Sequence, residues 1–322
     1  IQYGRMSGVE GNCMSKNTLP LSELLTSLES ELISVFGNVD DVRVNNLSSP
    51  ENASPDTLDW IGLTAPNPQE KAENSPARAI LAHPGVRYSE ALIQSQKILI
   101  LVKNPRVAIA KLGNRFFVEK TEPGIHPSAI IHPRAQLADS VCIGANCVVG
   151  ECRIGRHTVL EPGVIVHNGV EIGEQVIVHA GAVIGTEGLG CFRDEAGELT
   201  KFPHLGGLII GDKVEIGANC SIAKGSLSNT VIGKGTKINS LCFVAHNCII
   251  GENVLITGSS MLNGSVKIGD NATIYSNVIV GDQKCIGKGA VVGMGAVVTK
   301  DIPEYEVWVG NPAGYLRANK GS

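Results

Sequence analysis

Apolar residues recur at a fixed interval of six along the C-terminal two-thirds of the chain. The interval begins at Ile125 and holds to Ile184, apart from a single five-residue step. It is absent from residues 185–207 and then resumes, and from Ile232 it runs without error to Val298. A period sustained over this length indicates one small structural unit stacked many times on itself.

A six-residue interval with small and turn-forming residues between the apolar positions predicts a triangular coil of three short strands. Eighteen residues then complete one coil, and equivalent positions on successive coils stack about 4.8 Å apart. We therefore predict a mainly β fold, a parallel β-helix over residues 123–302, followed by a short C-terminal tail at 303–322. Residues 185–207 form an excursion from this helix, and long excursions on rigid scaffolds are usually functional.

The N-terminal third has a different pattern and predicts a small α/β domain over residues 20–122. Apolar residues at three- and four-residue spacing predict an amphipathic helix from Leu21 to Phe36. Ile98 to Val102 is typical of a buried strand, and Arg106 to Phe117 of a helix that begins behind a proline. Residues 1–19 are polar and lack periodicity, which favours a disordered tail or a processing remnant.

Composition narrows the classes of function. The chain has 38 glycines but few aromatics (Phe 6, Tyr 5, Trp 2), which suits a narrow, repetitive β interior. A net charge of -4 argues against a nucleic-acid partner. No apolar run approaches the length of a transmembrane segment. The 9 cysteines form no CxxC pair, so we expect buried, reduced thiols and no metal site. Four of them fall where the coil interior needs a small side chain: Cys147, Cys220, Cys242 and Cys248.

Three residues on the late coils form the candidate catalytic constellation. His246, Gly264 and Asp282 each lie two places after a repeat apolar residue and are spaced by eighteen, so we expect them to stack on one corner. Histidine is suited to general-base catalysis near neutral pH, and a glycine N–H to stabilising an oxyanion. The alternatives are a surface histidine, a glycine kept for a tight turn and an aspartate that serves turn geometry.

Two further regions carry candidate binding residues. In the excursion, Lys201 and Phe202 either contact substrate or fold the loop back on itself. In the small domain, Trp60 either packs in the core or stacks on a ligand base.

Several segments resemble one family in sequence and in order. They are Leu101–Pro105, Gly185–Gly190, Lys201–Pro203, Ile209–Ala218, Thr230–Gly233 and Ala245–Gly251. On these segments, over nearly the whole chain after residue 20, the protein resembles the UDP-3-O-acylglucosamine N-acyltransferases of lipid A biosynthesis. The resemblance implies a left-handed coil.

The resemblance also implies a reaction and its partners. His246 would be the general base that deprotonates the 2-amino group of a UDP-3-O-acylglucosamine, and the Gly264 amide would be the oxyanion donor. The acyl group would come from acyl-carrier-protein as a phosphopantetheine thioester, with no other cofactor. The family forms homotrimers with sites between neighbouring β-helices. Its first domain helps to hold uridine, which implies that Trp60 stacks on uracil with Asn67 nearby.

The chain departs from the family at some positions. Asn239 stands where the family has an aspartate seven residues before the base, and we expect this amide to orient the imidazole. Asp282 lies where a second family histidine is expected and is assigned to substrate binding. The C-terminus ends soon after Ala313 and is similar to the tail of small-donor acetyltransferases.

Two other functions therefore stay open at the sequence level. One is an acetyl-CoA-dependent sugar or amino-acid N-acetyltransferase, and the other is a β-helix that serves as a non-catalytic module. Plant organellar versions of the pathway exist, so a mitochondrial location is expected for such a member and a cytoplasmic one otherwise.

Overall fold

The computed structural model describes residues 18–118 and 121–320. The chain divides into two compact units, Ile1–Lys120 and Thr121–Ser322. The tail expected at residues 1–19 therefore lies almost wholly outside the described residues.

The first unit contains a five-stranded sheet with short helices. Its strands follow the order Leu32–Phe36, Ile98–Val102, Ala79–Ala82, Thr57–Trp60 and Asn46–Ser48. All neighbours pair in parallel except Leu32–Phe36, which runs antiparallel at one edge. The α-helices are Leu21–Thr26, Pro68–Asn74, Glu90–Gln94 and Pro105–Leu112, and a further two-stranded pair joins Leu19–Pro20 to Arg43–Val44. The strand predicted at Ile98–Val102 is confirmed and is buried along its whole length.

The helix predicted from Leu21 to Phe36 is wrong beyond its first two turns. The helix spans Leu21–Thr26, and Leu32–Phe36 is a strand that pairs with Ile98–Val102. Leu21, Leu24 and Leu28 are buried, so the helical spacing does describe the first half. In the second half, β-branched and aromatic residues gain an edge position in the sheet, and this pairing overrides the local helical pattern.

The helix predicted from Arg106 to Phe117 begins and ends differently. It starts at Pro105 behind Asn104, whose side-chain oxygen accepts hydrogen bonds from the next two free N–H groups. The α-helical part ends at Leu112, and Gly113–Phe117 forms a π-helical turn. The helix prediction is therefore confirmed in position, with its last turn wound more widely.

The second unit is a parallel β-helix of three sheets. Sheet 1 comprises Gly124–Ile125, Cys142–Ile143, Val159–Leu160, Ile177–Val178, Glu215–Ile216, Lys237–Ile238, Leu255–Ile256, Thr273–Ile274, Val291–Val292, Glu306–Val309 and Gly314–Ala318. Sheet 2 comprises Ile130–Ile131, Val148–Val149, Ile165–Val166, Val183–Thr186, Ser221–Ala223, Phe243–Val244, Met261–Leu262, Ile279–Val280 and Val297–Val298. Sheet 3 comprises Gln136–Leu137, Arg153–Ile154, Val170–Ile172, Leu208–Ile210, Thr230–Ile232, Ile249–Ile250, Lys267–Ile268 and Cys285–Ile286.

The six-residue repeat fills the interior of this helix. Along the late coils the second residue of each strand is buried, and the four cysteines predicted to fill the interior are at most 2% exposed. Successive coils pair in register at intervals of eighteen, as Val244 does with Leu262. The corners need a left-handed backbone, which Asn247 adopts with φ 61° and Ser265 with φ 60°. One contiguous apolar core therefore holds the corners at fixed heights.

The excursion and the C-terminal segment both have structure of their own. Within residues 185–207, Cys191–Arg193 and Leu199–Lys201 form an antiparallel hairpin. The segment predicted as a short tail continues sheet 1 through Glu306–Val309 and then returns antiparallel as Gly314–Ala318.

Candidate active site

His246, Gly264 and Asp282 lie on the corner between sheets 2 and 3, on three successive coils. Each follows its sheet 2 strand by two residues, and these strands pair in register. Backbone hydrogen bonds join the corners directly: the Ser265 N–H donates to the His246 carbonyl at 2.9 Å, and the Gln283 N–H to the Gly264 carbonyl at 2.8 Å. The stacking that the eighteen-residue spacing predicts is thus present.

Asn247 fixes the orientation and the tautomer of His246. The His246 Nδ1 lies 2.9 Å from the Asn247 Oδ1. The Asn247 amide nitrogen donates to the Ser228 carbonyl, and its oxygen accepts from the Ser226 N–H and hydroxyl, so the amide cannot be reversed. The Nδ1 must therefore carry the proton, which leaves the lone pair of Nε2 free to act as a base.

The free Nε2 of His246 faces Gly264. A Cβ added to Gly264 would lie 3.0 Å from this nitrogen and 2.8 Å from the His246 Cε1. The Gly264 N–H already has a hydrogen-bond partner, because it donates to the Asp282 Oδ1 at 2.9 Å. A base and a hydrogen-bond donor therefore lie on adjacent coils, with the donor covered by an exposed carboxylate.

The excursion places a second histidine against His246. The ring centroids of His204 and His246 are 5.3 Å apart, with an interplanar angle of 70°. His204 is only 2% exposed. Burial, reinforced by the nearby His246, lowers the pKa of His204 below its usual value, so its ring is neutral near pH 7. Sequence analysis missed this residue because the excursion has no period, and the only available signal was its place next to Lys201–Pro203.

Lys201 and Phe202 lie on the same excursion. The Lys201 ammonium pairs with the Glu187 carboxylate, and this hydrogen bond raises the pKa of Lys201. Phe202 packs edge-on against Phe192 with ring centroids 5.8 Å apart, and its N–H donates to the Gly190 carbonyl. Both residues therefore fold the excursion onto itself, and this brings the following residues of the excursion to His246.

Asn239 does not orient His246 within one chain. It lies on the corner between sheets 1 and 2, because seven residues of separation move it one corner away, and its side-chain oxygen accepts from the Ser240 N–H. It lines a cavity of about 370 Å³ with Glu161, His179 and Glu215, to which His246 does not contribute. The polar groups there are already paired with one another, so we place the chemistry at His246, where a ring nitrogen is free.

Trp60 and Asn67 belong to the first unit. Trp60 ends the strand Thr57–Trp60 and packs partly against the apolar core of that unit. Asn67 is exposed, precedes the helix Pro68–Asn74 and donates from its side chain to Glu70. Trp60 therefore lies at the carboxyl edge of parallel strands, where ligands of open α/β sheets commonly bind.

Over residues 18–118 and 121–320, no cluster of three or more histidine, cysteine or acidic side chains is arranged to hold a metal ion. Within the same ranges, no helix is long and apolar enough to span a bilayer.

Sequence comparison matches the chain to a hexapeptide-repeat family model and to bacterial acyltransferases. The family model for the bacterial transferase hexapeptide (six repeats) matches residues 151–186 and 229–264, which include His246 and Gly264. A UDP-3-O-acylglucosamine N-acyltransferase of Coxiella burnetii is 31% identical over 251 residues, covering 71% of each chain. UDP-3-O-acylglucosamine N-acyltransferase 1 of Legionella pneumophila is 38% identical over 234 residues, covering 66% of this chain and 64% of that protein.

Solved structures of related enzymes share the β-helix. UDP-N-acetylglucosamine acyltransferase of Francisella novicida superposes with a TM-score of 0.56 at 28% identity, covering 61% of this chain and 71% of that one. The Arabidopsis enzyme of the same name gives 0.52 at 28% identity, covering 61% and 74%. The predicted fold class, a left-handed parallel β-helix of hexapeptide repeats, is confirmed.

Proposed function

The chain belongs to the UDP-3-O-acylglucosamine N-acyltransferase family, and we propose that it moves an acyl group from acyl-carrier-protein to the 2-amino group of a UDP-3-O-acylglucosamine in lipid A biosynthesis. The observation that supports this most is the free Nε2 of His246. It is fixed by Asn247 on one side and faces the backbone of Gly264 on the other.

The proposed reaction uses these two groups in sequence. The amine lone pair attacks the thioester carbon, a C–N bond forms, and the carbonyl electrons move onto oxygen. His246 Nε2 takes one proton from the amine, and the Gly264 N–H donates to the oxyanion. The intermediate then collapses, the C–S bond breaks, and the thiolate leaves with the proton that His246 had taken. Amide and free thiol are the products, and His246 is again neutral.

Asp282 competes with the oxyanion for the Gly264 N–H in this scheme. We expect Asp282→Ala to raise kcat about threefold, because a carboxylate no longer occupies the donor or repels the developing negative charge. Steady-state kinetics at several substrate concentrations measures this. Asp282→Asn removes the charge and keeps the side-chain oxygen. Its kcat is expected to lie between those of the original protein and of Asp282→Ala. A tenfold loss of kcat/KM in Asp282→Ala would instead show that the carboxylate binds substrate directly.

An assay that compares two thioesters tests which acyl donor the protein uses. Purified protein and UDP-3-O-acylglucosamine are supplied with acyl-carrier-protein thioester in one reaction and with acetyl-CoA in another, and amide product is followed by mass spectrometry. We expect transfer from the carrier-protein thioester and at least 100-fold slower transfer from acetyl-CoA, because only the former offers a protein surface and a long chain to bind. Transfer from acetyl-CoA alone would favour an N-acetyltransferase, and transfer from neither would contradict both functions.

Sheet 2 supports the homotrimer that we also propose. The outward residue of its strands is apolar in every case except Ser221, whereas sheets 1 and 3 carry charged residues at such positions. Several of these side chains are well exposed: Ile130 67%, Val148 40%, Phe243 36%, Met261 42% and Ile279 42%. An apolar stripe of this length, interrupted only at Ser221, is typical of a protein interface, and three copies would bury it together with the edge of each site.

The first unit supplies the proposed uridine contacts. An aromatic face at Trp60 and an exposed amide at Asn67 are the types of group that stack on and hydrogen-bond to a pyrimidine. We assign Lys201 and Phe202 to the side of the excursion that faces substrate. Lys201 can bind a diphosphate when its ammonium leaves the Glu187 carboxylate and pairs with that anion instead.

A further inference from the structure

His204 has two buried nitrogens with no partner. Neither Nδ1 nor Nε2 has a partner at good hydrogen-bond geometry, and the Phe202 backbone offers the ring only a weak contact. Among residues 18–118 and 121–320 the one other buried side-chain polar atom in this condition is Nε2 of His83. Buried polar groups in folded proteins are almost always paired, so an orphaned imidazole beside a catalytic base calls for a ligand. An apolar ring would fill the same space without leaving two unpaired nitrogens.

Backbone hydrogen bonds hold His204 in place from both sides. Before it, the Phe202 N–H donates to the Gly190 carbonyl at 2.7 Å. After it, the Leu205 N–H donates to the Ser226 carbonyl at 2.6 Å. Ser226 in turn donates to the Asn247 side chain that orients His246. The segment that carries His204 and the base are therefore tied to one hydrogen-bonded network, which fixes the position of one ring against the other.

Gly188 leaves the space between the two rings free of side chains. A Cβ at this position would lie 2.6 Å from the His204 Nε2 and 3.0 Å from the His246 Cδ2. An atom held about 2.9 Å from a nitrogen of each ring requires those nitrogens to lie within about 6 Å of each other. Ring centroids 5.3 Å apart allow such a spacing.

The nucleophile in the proposed function needs two acceptors. A neutral primary amine that attacks a thioester points its lone pair at the carbon, so both of its N–H bonds point elsewhere. One proton is lost to His246, and the other hydrogen remains on nitrogen in the amide product. The second N–H therefore needs an acceptor that does not remove the proton.

We propose that His204 is a second catalytic residue, which accepts a hydrogen bond from the amine of the sugar and so orients its lone pair toward the thioester. This inference rests on the proposed function. His204 neither gains nor loses a proton in the cycle. Its lowered pKa, due first to burial and then to His246, keeps an acceptor nitrogen available near neutral pH.

Two substitutions of His204 test the proposal. His204→Phe fills the space but removes the acceptor, and we expect kcat to fall about 30-fold with a smaller change in KM, because orientation matters most in the transition state. His204→Gln restores a side-chain oxygen and is expected to recover kcat to within about fivefold of the original protein. His126→Phe, at an exposed corner histidine, is the control and should change neither constant. Thermal unfolding of each variant tests whether the fold is intact.

The outcomes separate this inference from the proposed function. If the unaltered protein transfers no acyl group to the amino sugar, the proposed function fails. If that protein is active and His204→Phe has the same kcat, or if both His204 variants lose activity equally while folded, the role of His204 is refuted alone. Nitrogen chemical shifts of His204 give an independent measurement: they should change on addition of UDP-3-O-acylglucosamine without donor, and an unchanged spectrum would overturn the contact.

Discussion

His246→Ala is expected to lower kcat by about 10³-fold, within the range that a positioned general base contributes. The expectation follows from the single free nitrogen of the His246 ring. Nδ1 is held by Asn247 and cannot serve as the base, whereas Nε2 has a lone pair that faces Gly264. Without it, the proton that the amine must lose as the C–N bond forms has no acceptor, and the tetrahedral intermediate returns to reactants. Single-turnover kinetics with saturating thioester measures the chemical step directly.

Two companion variants sharpen this result. His132→Ala removes another histidine from the corner between sheets 2 and 3, far along the helix, and should leave kcat unchanged. His246→Gln keeps a polar group near Asn247 but supplies no base, and should be as slow as the alanine variant. If His246→Gln or His246→Ala retained more than a third of the activity, the base would have to be sought elsewhere.

Much of the fold follows from one regular signal. The six-residue interval identifies the strands, the buried positions and the break at residues 185–207, because each coil repeats the same packing problem. The first unit offers no repeated signal, and there the helix expected through Phe36 gives way to a sheet-edge strand. Pairing with Ile98–Val102 decides that segment, and a partner some sixty residues away is invisible to a local pattern.

The site was predictable where it follows the repeat. Spacing by eighteen brings His246 to Gly264, while a spacing of seven puts Asn239 on a different corner, so the orienting amide is the adjacent Asn247. The contact of His204 with His246 depends on how the excursion folds back through the hydrogen bonds of Phe202 and Leu205. No interval in the sequence encodes that path.

Gly264→Ala is expected to lower kcat about 100-fold while the protein stays folded. The φ angle of Gly264 is not positive, so alanine is compatible with the backbone, and the N–H remains as a donor. The new methyl would lie 2.8 Å from the His246 Cε1, and a half-buried imidazole can give way by turning. A displacement of the base by about 1 Å is enough for a loss of this size. Steady-state kinetics and thermal unfolding, measured together, test it.

Gly258→Ala is the matched control, because Gly258 occupies the equivalent position on the preceding corner of the same coil, between sheets 1 and 2. Its added Cβ would meet the Ser240 carbonyl at 3.3 Å and the Asn239 side-chain nitrogen at 3.9 Å, and it would not contact His246. We expect a similar small change in melting temperature in both variants, and loss of kcat in Gly264→Ala alone. If activity fell equally in both, general strain in the coil would account for it. If Gly264→Ala kept full activity, the space beside the His246 Nε2 would not be where the thioester binds.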